Sequence, residues 1–331
     1  MSESTSLPAI MICGHGSRDR RAVEEFNQLA MRIKERLPNH QVESGFLEFA
    51  TPVIGTGLDK LRDAGAKKIV CLPGMLFAAG HVKNDLPSEV NTYAAENPGV
   101  EMVFAADLGI DARLLDAAKQ RVEEALGAAS DDVSLDDTMV LVVGRGTNDS
   151  DANSNVAKVT RMLWEGLRVG WAETAYSGVA YPLVDQALAR VVKMGFKRVV
   201  VFPYFLFSGI LVTRIYNWVD EAAAANPDIE FLKASYLNDH PKVIDAFVAR
   251  MQDALDGTGT MNCQLCKYRE QIIGHEHDHG AAQQGHHHHV QGAGVEDNPQ
   301  DRGVHHGHGH GHHHHHHHDH GDHHHHEDEK D

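Results

Sequence analysis

The chain has 331 residues, room for two ordinary domains and a tail, and a formal net charge of −17. From residue 267 onward 12 acidic side chains face 4 basic ones, a net −8 that leaves −9 for the body. A net acidic body argues against nucleic-acid or membrane-surface partners. There is no N-terminal apolar leader and no bilayer-length apolar run. Cys13 and Cys71, two of the four cysteines, sit in apolar strand-like runs, which argues against a disulfide framework, so the chain reads as soluble and cytoplasmic.

Residues 8–13 predict a first buried strand, followed by the turn Cys13-Gly14-His15-Gly16-Ser17. A helix over 22–37 follows from Val23, Phe26, Leu29, Ala30, Ile33 and Leu37 at helical spacing, ended by Pro38. A strand at 42–47 precedes a helix opened by Thr51-Pro52, with the proline expected at the first helical position. A second buried strand at 67–72 is closed by Pro73. A glycine-containing loop over 74–83 then leads to a helix near 85–96, a strand at 100–105 and a helix at 111–126. This alternation predicts an α/β fold with a parallel sheet and helices on both faces.

The pattern then repeats. Gly14 and Gly16 recur as Gly144 and Gly146, and at the same offset of 130 Pro52, Gly65, Pro73 and Phe77 recur as Pro182, Gly195, Pro203 and Phe207. After one slipped position Asn97-Pro98 recurs as Asn226-Pro227. The expected organisation is therefore a catalytic α/β domain at 1–127, a linker at 128–137 and a duplicated, non-catalytic domain at 138–257. A cysteine-motif segment at 258–274 and a disordered His-rich tail at 275–331 complete the chain. The copies differ where chemistry belongs: His15 becomes Arg145, Glu48 becomes Gly178 and His81 becomes Leu211.

The carboxyl ends of neighbouring parallel strands converge, so His15, Glu48 and His81 can meet despite their separation in sequence. Two imidazoles and a carboxylate suit a divalent transition metal with open positions. Singly, each is as well explained as a cap or a solvated side chain; their joint replacement in a copy that keeps its frame points to function. The Gly14–Ser17 turn matches neither the dinucleotide fingerprint nor a Walker loop, Ser17 is equally a helix cap, and no nucleophile elbow is present. Cys263 and Cys266 form a C-x-x-C pair, enough for half of a cluster or closed zinc site, with a redox dithiol or an inert pair as alternatives. Residues 275–326 hold 23 of the 27 histidines, broken by Gly, Asp and Glu, a composition that cannot bury a core and suits late first-row ions as a store or buffer.

Gly14-His15-Gly16-Ser17-Arg18, the Phe46-Leu47-Glu48 strand end and Pro73-Gly74-Met75-Leu76-Phe77 running to His81 resemble the sirohydrochlorin chelatases, the class II chelatase group related in fold to ferrochelatase. With the duplicated body, the Cys263/Cys266 motif and the His-rich tail, the chain is similar to the long CbiX-type cobaltochelatases. The resemblance implies ATP-independent insertion of Co2+ into sirohydrochlorin on the early-insertion route to cobalamin. It also implies His15 and His81 as the metal-site histidines, Glu48 as the assisting carboxylate, and an iron–sulfur centre at Cys263 and Cys266, possible to share across a homodimer. Sirohydrochlorin carries many carboxylates, for which Arg18, Lys83 and Arg145 are the leading anchor candidates, with Arg20, Arg21 and Arg214 behind them. Two alternatives are a sirohydrochlorin ferrochelatase for sirohaem and a non-enzymatic cobalt or nickel store.

Overall fold

The computed structural model describes residues 7–259 as two lobes, each built on a four-stranded parallel sheet. In the first lobe β1 (Ala9–Gly14), β2 (Val42–Phe46), β3 (Lys68–Pro73) and β4 (Glu101–Phe104) lie in the order β2-β1-β3-β4. The helices α1 (Arg20–Arg36), α2 (Ile54–Asp63), α3 (Leu86–Glu96) and α4 (Ala112–Gly127) follow the four strands in turn. The second lobe repeats this with β5 (Thr138–Gly144), β6 (Trp171–Tyr176), β7 (Arg198–Pro203) and β8 (Glu230–Lys233) in the order β6-β5-β7-β8. Its helices are α5 (Ser150–Leu167), α6 (Val184–Val191), α7 (Ile210–Ala225) and α8 (Pro241–Leu255).

All six residues of β1 are buried, because helices cover both faces of the sheet. Successive side chains leave a strand on opposite sides. Ile10 and Ile12 accordingly join Phe26, Leu29 and Ile33 of α1. Met11 and Cys13 join Leu58 and Leu61 of α2 and Leu86 and Val90 of α3. Asp19 caps α1 by accepting a hydrogen bond from the Arg21 amide at 3.0 Å.

One local expectation is corrected. Pro52 does not open α2: the helix begins at Ile54 after the extended cap residue Val53, and Pro52 sits in the preceding turn, where its carbonyl accepts from the Phe46 amide at 2.9 Å. The helix expected near 85–96 is α3, and a π-helical turn at His81–Asp85 runs directly into it.

The lobes are not independent units side by side. The last helix of each crosses to the other: α4 packs on β7 and β8, and α8 packs on β3, β4 and α1. Leu114, Ala117, Ala118 and Val122 of α4 and Val243, Ala246 and Phe247 of α8 therefore belong to one core continuous through both lobes. Phe247 is fully buried there, and truncating such a side chain to alanine costs about 3–5 kcal/mol. An interface this apolar holds the lobes at a set separation, unlike a polar contact between mobile domains. No helix among the described residues is long and apolar enough to cross a membrane.

Candidate metal centre

In the order β2-β1-β3-β4 the chain leaves β1 toward one side and later returns to β3 on the other, so a crevice opens at the carboxyl ends of β1 and β3. His15 follows β1 and His81 lies beyond β3, on the two banks of that crevice; Glu48 follows β2. The ladder continues past the strand ends. The Leu47 amide donates to the Gly14 carbonyl at 2.8 Å, the Glu48 amide to the His15 carbonyl at 3.0 Å, and the Gly74 amide to the Cys13 carbonyl at 2.8 Å. Gly16 makes this approach possible: its φ is +96°, and a Cβ there would stand 1.6 Å from the Glu48 carbonyl oxygen.

The three side chains meet. Their ligand atoms all lie within 4.8 Å of one another. His15 Nε2 is 2.9 Å from His81 Nε2 and 3.4 Å from Glu48 Oε1, with Glu48 buried. The opposite ring nitrogens fix the tautomers. His15 Nδ1 lies 2.9 Å from the Gly16 carbonyl, which only accepts, so Nδ1 carries the hydrogen. His81 Nδ1 lies 2.7 Å from the Asp85 carboxylate and donates to it for the same reason. Both Nε2 atoms are then left with lone pairs directed at one another, beside a third acceptor on Glu48. Acceptors packed this closely are stable together only around a shared proton or cation. Nitrogens 2.9 Å apart suit neighbouring positions, at roughly 90°, on an ion with bonds of about 2.1 Å.

Electrostatics favours the cation over the proton at His15. Burial, with His81 and the Arg145 guanidinium adding to it, pushes its pKa down from 6.5 to about 4, against the opposing pull of the Gly16 carbonyl and of Asp85. The His15 imidazole is therefore neutral at physiological pH, the form in which a histidine can bind a metal. Asp85 itself is buried and braced by the Asn84 side-chain amide at 2.9 Å. A carboxylate behind a metal-facing imidazole is the usual means of fixing the ring and raising its basicity.

A cleft of about 420 Å³ opens beside this cluster, with residues of both lobes as walls. Its lining is largely apolar, with Leu76, Phe77, Leu206, Phe207, Ile210 and Leu211 among it. Of the basic residues named from sequence, Arg18 and Arg145 line it, one from each lobe. Arg18 also lies over the ring of Phe49, 4.9 Å from its centroid, and Phe49 in turn packs beside His15. Arg20 and Arg214 are exposed and outside the lining, and Arg21 is paired with Asp19 at 3.0 Å. Lys83 is not part of the lining: its ammonium is buried and paired with Asp149 at 2.8 Å and Asp151 at 3.3 Å. Cys263, Cys266 and the His-rich tail lie outside the described residues. Asp85 and Phe49 were missed in the sequence. The four-residue spacing of His81 and Asp85 was a usable signal for Asp85, since such residues share a helix face.

Comparison with known proteins agrees with this architecture. The CbiX family matches the chain twice, over residues 9–125 and 139–254. A sirohydrochlorin cobaltochelatase from Priestia megaterium is 36% identical over 274 residues, covering 82% of this chain and 88% of that protein. A sirohydrochlorin ferrochelatase from Bacillus subtilis is 29% identical over 245 residues, covering 74% of this chain and 91% of that protein. Among solved structures, SirB from Bacillus subtilis with Fe3+ superposes with a TM-score of 0.68 at 27% identity, covering 77% of this chain and 99% of that one. The complex of SirB with cobalt gives 0.64, also at 27% identity, over 76% of this chain and 96% of that one. The family match over both lobes and the identity to a cobaltochelatase make the chain a chelatase, an enzyme that delivers a metal ion to an organic ligand. This chain belongs to the CbiX family, as a long member carrying both copies of the domain in one polypeptide.

Proposed function

We propose that this enzyme inserts Co2+ into sirohydrochlorin without ATP, on the early-insertion route to cobalamin. The observation that carries the proposal is the convergence of three acceptors, His15 Nε2, His81 Nε2 and Glu48 Oε1, on one point at the cleft. Cobalt is the substrate metal and is held by the two Nε2 atoms. Forming cobalt–sirohydrochlorin releases two pyrrole protons per ion. As the ion moves to the macrocycle nitrogens, the lone pairs it leaves on His15 and His81 become free to accept those protons. Because His15 is a weak base in this setting, it passes its proton on readily, with Glu48 beside it as the relay. Arg18 and Arg145 face the cleft from opposite lobes and are suited to hold carboxylates at the macrocycle edge.

Two features support cobalt over iron. The relative sharing 36% identity is a cobaltochelatase, while the ferrochelatases share 27% and 29%. The imidazole-rich tail suits late first-row ions as a local store. The test is a side-by-side insertion assay with Co2+, Fe2+ and Ni2+ on sirohydrochlorin. Fastest turnover with cobalt at matched free metal is expected; faster turnover with iron makes the protein a ferrochelatase. Deleting residues 275–331 should leave turnover intact at saturating cobalt and lower it when cobalt is scarce. Metal insertion is redox-neutral and makes no demand on a cluster at Cys263 and Cys266. A cluster there predicts a brown anaerobic preparation that loses its visible absorption when both residues become Ser.

A further inference from the structure

The turn that carries His81 has three polar side chains at alternate positions, His81, Lys83 and Asp85, and the second lobe has none of them. The corresponding residues are Leu211, Thr213 and Ile215, in a segment that is ordinary α-helix from Ile210 onward. The first lobe has a π-helical turn there instead, a geometry that recurs at functional sites. His81 faces the metal cluster and Asp85 stands behind it. Lys83 points to the other lobe, and that placement is not explained by metal chemistry.

Lys83 reaches the start of α5. Its side chain is 1% exposed, and its ammonium lies 2.8 Å from Asp149 Oδ2 and 3.3 Å from Asp151 Oδ2. The other oxygen of Asp149 caps α5, accepting from the Asp151 amide at 3.0 Å and the Ala152 amide at 3.4 Å. One buried carboxylate thus fixes the N-terminus of a second-lobe helix and the metal-facing turn of the first lobe together. The internal symmetry supplies a comparison. Asp149 and Asp151 correspond to Asp19 and Arg21, and Lys83 to Thr213. At the equivalent positions the contact is a hydrogen bond of 3.4 Å from an exposed Arg21 to Thr213, and the second-lobe loop is tied to α1 instead by Glu25, which accepts from the Ser208 amide and the Tyr236 hydroxyl at 2.6 Å each. Of these two symmetry-related positions, the one beside the metal-facing histidine carries the buried ion pair.

We propose that Lys83 is a positioning residue: its ion pair with Asp149 fastens the His81-bearing turn to the second lobe and so sets the distance between His81 and His15. The inference rests on the metal-site reading above. It gives the silent copy a task beyond closing the cleft, since the helix start of α5 is then part of the mounting of the metal site.

The test compares D149N, K83M, K83R and the double variant K83M/D149N in the full-length protein. Co2+ is titrated and followed by its visible absorption, and insertion kinetics are measured with cobalt and sirohydrochlorin varied separately. D149N is the decisive variant should K83M fail to fold, because asparagine still caps a helix. The expected result is a loss of Co2+ affinity of about tenfold in D149N and K83M, the scale of other supporting-shell losses at metal sites. The KM for cobalt rises, the KM for sirohydrochlorin is unchanged, the double variant is no worse than the weaker single one, and K83R keeps most of the affinity. Folded D149N with unaltered Co2+ affinity overturns the proposal. So does a raised KM for sirohydrochlorin with cobalt binding unchanged, which returns Lys83 to the role of substrate anchor. H81A is run alongside: unaltered Co2+ binding there contradicts the metal site itself, separately from the latch.

Discussion

At the carboxyl ends of β1 and β5 the backbone follows one course. Gly16 and Gly146 have φ of +96° and +80°, and a Cβ on either would meet the carbonyl of residue 48 or 178 at 1.6 or 1.9 Å. Phe49 and Val179, one step further, share a φ of +64°, and the Thr51-Pro52 and Tyr181-Pro182 peptides are both cis. A left-handed conformation is unfavourable for a β-branched residue, yet Val179 keeps it in the lobe without ligands. The loop geometry is therefore architecture, retained by the packing of strand ends in both copies. Chemistry is added by what stands on it: imidazole, carboxylate and imidazole in the first lobe, and guanidinium, glycine and leucine in the second.

That contrast sets what each substitution does. The largest effect is expected from Gly16→Ala. Its backbone angle alone costs roughly 1–3 kcal/mol, and the collision with the Glu48 carbonyl adds to that while displacing His15. Gly146→Ala meets a comparable collision, so thermal denaturation should show both variants destabilised. The catalytic rate per folded molecule should fall only for Gly16→Ala. Equal losses of rate would mean that the second-lobe turn also takes part in the chemistry.

Asp85→Asn should weaken Co2+ binding on the order of 10- to 100-fold by calorimetry, because the amide no longer holds the His81 ring as a charged acceptor. Its second-lobe counterpart Ile215 has no ligand to orient. Arg145→Ala should raise the KM for sirohydrochlorin by about tenfold, the scale of one charge-assisted hydrogen bond, with kcat little changed. An unchanged KM removes Arg145 from substrate binding.

The smallest effect concerns acid. His15 has a folded pKa of about 4 against an ordinary 6.5, so between these values the unfolded chain binds a proton that the folded chain does not. The stability contribution is thus complete above about pH 6.5 and declines as pH falls toward 4. Urea denaturation of metal-free protein at pH 7 and pH 5 should show a smaller acid loss in His15→Gln than in the parent. Equal losses would mean that His15 is not held neutral by its surroundings.

Much of this was legible in the sequence because buried parallel strands write themselves as apolar runs. Residues 67–72 announced β3, and the repeat at an offset of 130 exposed the substitutions at positions 15, 48 and 81. The exchange of α4 and α8 was not legible. Leu114, Val122, Val243 and Phe247 form an apolar stripe that fits either lobe's sheet equally well, and only tertiary packing selects the partner. The burial of Lys83 was hidden for a related reason. A lysine in a loop near a ligand site reads as an anchor for an anion, and nothing local reveals that two aspartates 66 and 68 residues away enclose it. Pro52 shows the limit of cap rules, since a proline two residues before a helix and one at its first position have the same local sequence signature.

Passage of the metal through His15 and His81 of the first lobe is the step on which the insertion chemistry rests. It is tested most directly by single-turnover insertion of Co2+ into sirohydrochlorin, with parent, His15→Ala, His81→Ala and the second-lobe control Leu211→Ala compared at saturating cobalt. Loss of insertion in both histidine variants, with the Leu211 variant retaining it, is the predicted result. Insertion at the parental rate in a folded His15→Ala or His81→Ala protein would contradict it.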